Sequence, residues 1–143
     1  MATEIHYFTG KAKWAKVHEP DEKYNNYQIC LYMDEDSRAR YDKSGLRLKD
    51  REDEDGEYIQ FRRNHEGYYK GEEAHVFGPP TVLNEDGETI TDLVGNGSDV
   101  TVKVEIYDTK MGRGHRMEAV RVNELVEYNG APTVVAAEDE IPF

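Results

Sequence analysis

The residues in this chain best suited to chemistry are cations spaced two apart beside aromatic rings. Arg47, Lys49 and Arg51 alternate with Leu46 and Leu48, and beyond Glu52-Asp53-Glu54-Asp55 the order Tyr58-Ile59-Gln60-Phe61-Arg62-Arg63 alternates again. A period of two sends successive side chains to opposite faces of a strand. Paired as a hairpin through Asp55-Gly56, residues 46–63 would present one apolar face and one face carrying Arg47, Lys49, Arg51, Arg62 and Tyr58. Cations that follow phosphates, next to a ring that stacks on a nucleobase, are what an unpaired polynucleotide requires. An ordinary solvated face, with Tyr58 lying along arginine stems, uses the same residues.

A second surface of this kind lies in residues 99–126. Lys103 and Tyr107 share the outward side of an alternating strand, and the loop after it offers Lys110, Arg113, His115 and Arg116. Trp14, in Lys11-Ala12-Lys13-Trp14-Ala15-Lys16, is either a stacking platform flanked by lysines or the core's largest anchor. Other chemistries fail on spacing. The acidic run before Gly56 has Arg51 and Arg62 where a calcium loop needs its first ligand and its closing glutamate. His6, His18, His65, His75 and His115 show no metal-ligand spacing with one another or with Cys30, so no metal or other cofactor is expected. Gly95-Asn96-Gly97-Ser98 lacks the lysine of a phosphate loop and leads into a strand, so it reads as a turn. No nucleophile motif is present.

The elements that must position these residues are mostly strands. Val100, Val102, Val104 and Ile106 form one apolar row, Met117 to Val126 resumes as a partner strand, and Tyr27 to Met33 and Phe8 to Val17 supply two more. Asp34 or Asp36 caps a short helix that ends at Gly45. Residues 64–98 read as loops with short strands, and residues from Ala131 onward as an unpatterned acidic tail. Together these predict a mainly β fold, a small closed or nearly closed antiparallel barrel with one short helix; a two-sheet sandwich is the competitor. The expected division is a folded domain over 1–130 and a disordered tail over 131–143. At 143 residues and a formal charge of −12, with −9 in residues 1–130, nucleic-acid binding depends on local charge. Residues 1–17 hold Lys11, Lys13 and Lys16 against Glu4 alone, and residues 103–121 hold five bases against three acids. No apolar run reaches the ~20 residues of a membrane span. The N-terminus lacks a signal-peptide pattern, and the single Cys30 fits a reducing cytosol.

Glu138-Asp139-Glu140-Ile141-Pro142-Phe143 resembles the acidic tip of bacterial single-stranded DNA-binding proteins, which end in acids followed by Ile-Pro-Phe. Gly10-Lys11-Ala12-Lys13-Trp14-Ala15-Lys16-Val17, Phe61-Arg62-Arg63, Gly95-Asn96-Gly97-Ser98 and Glu124-Leu125-Val126-Glu127-Tyr128 resemble a family of tailed-phage single-stranded DNA-binding proteins, over residues 8–128. The resemblance implies an OB-type barrel without enzymatic activity. It implies coating of single strands without sequence preference in phage DNA replication, recombination and repair, inside the cytoplasm of an infected bacterium. The tail residues Glu138, Asp139, Glu140, Ile141, Pro142 and Phe143 would recruit polymerase, primase, helicase or nuclease partners, and a homo-oligomer is compatible. The helix expected after the second strand, rather than between the third and fourth, departs from the common OB pattern.

On the alternation argument, Lys13, Arg47, Lys49, Arg62, Arg63, Lys103 and Arg116 are expected to contact phosphates. Tyr58 and Tyr107 are expected to stack, with Trp14 and Phe61 as further rings. The rival readings are an acidic DNA mimic that occupies a host nucleic-acid enzyme, and a small metal-dependent nuclease.

Overall fold

The computed structural model describes residues 3–20, 23–67, 75–76, 78–91, 94–110 and 112–126. The expected tail, including Glu138 to Phe143, lies outside them. The longest strand, β1 (Thr3–Lys16), organises the rest. Its first half pairs antiparallel with β8 (Asp99–Thr109), and its second half pairs with β2 (Asn26–Met33). β2 pairs with β4 (Gly56–Asn64), β4 with the short β3 (Arg51–Asp53), and β8 with β9 (Gly112–Glu124). β7 (Thr81–Asn84) adds to β9 in parallel, the one departure from an antiparallel sheet among the described residues. The sheet order is β3-β4-β2-β1-β8-β9-β7, and β5 (Glu66–Gly67) with β6 (His75–Val76) forms a separate ribbon.

Alternation places Phe8, Ile29, Leu31, Ile59, Phe61 and the row Val100-Val102-Val104-Ile106 inside, with Met117, Val120 and Val122 opposite. The rings of Phe8 and Phe61 stack at 5.6 Å, and Tyr41 meets both edge-on. Burying these side chains is worth about 1.5–3 kcal/mol each, the main favourable term in a domain of this size. Gly10 lets β1 and β2 approach closely: a Cβ there would lie 2.1 Å from the Tyr32 carbonyl oxygen.

The sheet curls until β4 and β9 face each other without a backbone ladder. Side chains bridge the gap. His115 Nε2 accepts the Arg62 backbone N–H at 3.0 Å, and its ring meets Phe61 edge-on. Arg63 donates from Nη1 to the Met117 carbonyl and to Glu118, and from Nε to the Gly78 carbonyl. The result is a mainly β, OB-like barrel, open along one seam.

Helix α1 (Glu35–Ser44) follows β2, where the sequence placed it. The Asp34 carboxylate accepts the Ser37 N–H at 2.8 Å, and Gly45 closes the helix in the left-handed region at φ 83°. Arg113 donates to the Ser44 carbonyl at 2.6 Å and pairs with Glu4, tying the β8–β9 hairpin to the helix end. The loop expected to carry Lys110, Arg113, His115 and Arg116 is therefore mostly strand, because β8 runs to Thr109 and β9 begins at Gly112. The expected strand from Leu46 to Arg51 is shorter as well. Leu46 is buried, and the Leu48 N–H donates to the Tyr41 hydroxyl, so this segment follows the helix and pairs with β4 only from Arg51.

Candidate nucleic-acid interface

The outward sides of β1, β2, β3 and β4 bring several of the expected residues together. On β4 the outward row is Tyr58, Gln60 and Arg62; on β2 it is Gln28, Cys30 and Tyr32; on β1 it includes Lys11 and Lys13. The Gln60 amide hydrogen-bonds Gln28 across the ladder. Trp14 lies at the end of the β1 row, about half exposed, with its ring 6.0 Å from that of Tyr58 and nearly perpendicular to it. Tyr58 in turn lies 5.1 Å from Tyr32. Three rings thus form a continuous platform on the surface.

Trp14 is exposed because the backbone turns it outward. The β1–β2 register shifts between Lys13 and Lys16, and Trp14 adopts φ 49°, in the left-handed region that non-glycine residues rarely occupy. Asn96 Oδ1 accepts the Trp14 N–H at 2.8 Å, while the Ala12 N–H donates to the Ser98 carbonyl and the Gly97 N–H to the Ala12 carbonyl. The Gly95–Ser98 turn is the clamp that holds this bulge. Strain of this kind persists only where neighbours enforce it, and it concentrates at functional sites.

Lys13 sits beneath the platform. Its Nζ lies 4.7 Å from the Trp14 ring centroid, 2.7 Å from Asp55 and 3.3 Å from Asp53. The hydrogen bond to Asp55, foremost, holds its ammonium well above the ordinary lysine range. The Tyr32 hydroxyl donates to Asp53 at 2.5 Å; burial, reinforced by that bond, raises the phenol well above its usual range, and the same bond lowers the Asp53 carboxyl. Cys30, on the same row, is buried, which pushes its thiol up to about 11 and keeps it protonated at neutral pH. A cavity of about 380 Å³ opens here, lined by Lys11, Lys13, Tyr32, Asp55, Asn96 and Gly97 among others.

The other expected contacts divide. Arg62 is exposed on the Tyr58 row, and its guanidinium meets Gln60. Arg47 and Lys49 are exposed, but they precede the paired part of β3, and no contact among the described residues joins them to the platform. Phe61 is a correction: fully buried and packed on Phe8, it is part of the core and offers no face to a base. Arg63 is another. It falls on the Phe61 side of β4 and is engaged across the seam with Glu118 and the Met117 carbonyl. Arg113 and His115 likewise hold the fold together instead of tipping a free basic loop. Tyr107 and Arg116 meet on the β8–β9 hairpin, with the guanidinium 5.7 Å from the ring and 3.0 Å from Glu105. Lys103 lies opposite Tyr7 of β1, over a separate trough.

Sequence reasoning missed Tyr32, Asp53, Asp55 and Asn96. The alternation of Tyr32 with Leu31 was a usable signal. The remaining three depend on the register between distant strands.

No protein-family model matches this chain, and no curated protein matches it. Solved structures do. The chain is similar to gp2.5, a single-stranded DNA-binding protein encoded by bacteriophage T7, with a TM-score of 0.64 at 17% identity over 91% of each chain. It is similar to the single-stranded DNA-binding protein of bacteriophage Enc34, with a TM-score of 0.57 at 15% identity over 92% of this chain and 87% of that one. A C-terminally truncated form of the Enc34 protein gives 0.56 at 13% identity, covering 87% and 88%. At these identities the likeness is one of fold.

Proposed function

We propose that this chain binds single-stranded DNA without sequence preference through the Trp14–Tyr58–Tyr32 platform, with Lys13, Lys11 and Arg62 contacting phosphates. The observation that carries the reading is the Trp14 ring, held outward by a strained backbone beside Tyr58 and directly above a lysine. Exposing a tryptophan this way gains nothing for the core, whereas a ring face beside a cation suits a stacked base and its phosphate. Similarity in fold to phage single-stranded DNA-binding proteins supports the same reading. Asp53 and Asp55 neutralise Lys13 in the free protein, so a phosphate must displace Asp55 to reach it.

The protein then acts as a non-enzymatic accessory to phage DNA replication, recombination and repair. Residues 138–143 recruit partner enzymes, with the Ile141 and Phe143 side chains entering an apolar pocket rimmed by cations. The carboxylates of the tail compete with DNA for the basic face, so removing residues 131–143 tightens oligonucleotide binding.

Titration with poly-dT, followed by Trp14 fluorescence, tests the central claim. Quenching that weakens with salt is expected, with log K falling by about 0.7 per phosphate neutralised. A protein that leaves poly-dT unbound is the acidic mimic instead, a reading favoured by the −12 charge and the carboxylates on Lys13. A truncated protein that binds DNA more weakly refutes the competition by the tail.

A further inference from the structure

The outward side of β1 continues past the platform onto the other half of the sheet. Two rows cross four strands there. Tyr7 stands opposite Lys103, Lys103 opposite Ala119, and Ala119 opposite Thr81; beside them run Thr9, Thr101, Arg121 and Leu83. The small Ala119 and the short threonines leave a trough of about 630 Å³ between the larger side chains. The Thr9 and Thr101 hydroxyls bond each other at 2.9 Å across its floor.

The wall residues have the chemistry of a nucleotide site. Tyr7 is 53% exposed, although its strand is paired with β8 there and its carbonyl accepts from Arg40 on the other side. The Lys103 side chain makes no hydrogen bond or ion pair among the described residues. Arg121 is exposed and holds only its Nε on Asn123 among the described contacts. The one carboxylate among the described lining residues is Glu118, the extra residue where the β8–β9 register shifts, and it is turned onto Arg63 and neutralised there. An available cation, a ring face and hydroxyls around a neutralised acid suit a polyanion that carries flat bases.

We propose that this trough is a second subsite for single-stranded polynucleotide, taking a further stretch of the strand held at the Trp14 platform. It rests on the function proposed above. β1 links the two sites: its outward side chains recur every ~6.6 Å, which puts Tyr7 and Lys13 ~20 Å apart along one strand. A path of that length agrees with footprints of about 4–16 nucleotides for one OB fold. A short oligonucleotide occupies the platform alone, and a longer one reaches the trough.

The test is fluorescence anisotropy of the full chain with oligo-dT of about 5 and about 15 nucleotides, lengths within the OB range. Tyr7→Ala should weaken the longer complex about fivefold or more, the lower end for loss of one stacked base, and leave the shorter one unchanged. Tyr7→Phe, which keeps the ring, should retain wild-type affinity. Lys103→Gln should reduce the salt slope of the longer complex by about 0.7. Trp14→Ala should weaken both lengths. If Tyr7→Ala and Lys103→Gln bind the longer oligonucleotide as the wild type does, the trough has another use and the proposal falls while the platform stands. An equal loss at both lengths refutes a second subsite by making Tyr7 part of the first. If the wild type binds neither length, both readings fail together.

Discussion

The seam between β4 and β9 makes the fold sensitive to acid at one residue. His115 Nε2 must be unprotonated to accept the Arg62 N–H. Burial, assisted by the Arg62 charge, lowers its pKa to about 4, whereas in the unfolded chain an imidazole titrates near about 6.5. Between these values the unfolded chain binds a proton that the folded one excludes, so acid favours unfolding. The stability contribution is complete above the unfolded value and is lost progressively as the pH falls from there toward the folded value. At about pH 5 the linkage amounts to about 2 kcal/mol, against almost nothing at about pH 7.5. A loss of that size lowers the melting temperature by about 7 °C in a domain of this size. Urea denaturation followed by circular dichroism at the two pH values measures it. His115→Gln supplies an acceptor that does not titrate, so its stability should change about 2 kcal/mol less than that of the wild type over the same interval. Equal losses in the two proteins would show that His115 does not exclude its proton, and the account of the seam would be wrong.

Trp14→Ala should weaken poly-dT binding about tenfold or more, as expected for loss of one stacked base, and shift stability by less than about 0.5 kcal/mol because the ring is exposed; paired anisotropy and denaturation measurements check both. Asp55→Asn should steepen the salt dependence of DNA binding by up to about 0.7 in log–log slope, since no displaced carboxylate then recaptures cations; Glu52→Gln, the same charge change on an exposed residue nearby, serves as the control and should leave the slope as it was. Asn96→Ala removes the acceptor that fixes Trp14, so affinity should fall toward that of Trp14→Ala; wild-type binding by this variant would mean that the bulge holds without it. Gly10→Ala should cost about 1–3 kcal/mol in urea denaturation, because its Cβ meets the backbone of β2 and neither strand is free to move.

Much of the architecture was legible in the residues because burial obeys a short period. The rows Val100-Val102-Val104-Ile106 and Ile29-Leu31 are inside, and Asp34 and Gly45 bound the helix as their side chains and backbone freedom require. The same alternation correctly put Tyr58 and Arg62 on one face and Ile59 and Phe61 on the other. It also put Arg63 beside Phe61, which should have removed both from the expected contacts.

What the sequence by itself determined was the side of each strand a residue faces, since that depends only on neighbours one and two positions away. What it meets on that side was decided by the tertiary structure. Arg63 and His115 became bridges because the curl of the sheet set β4 against β9, and Lys13 acquired Asp53 and Asp55 because the β3–β4 turn reached it from two strands away. Trp14 was undecided between core and surface until the Gly95–Ser98 turn, more than eighty residues along the chain, supplied the hydrogen bond that turns it outward. Such contacts join strands far apart in sequence, and their register follows from the packing of the whole core, a property that no short stretch of residues carries.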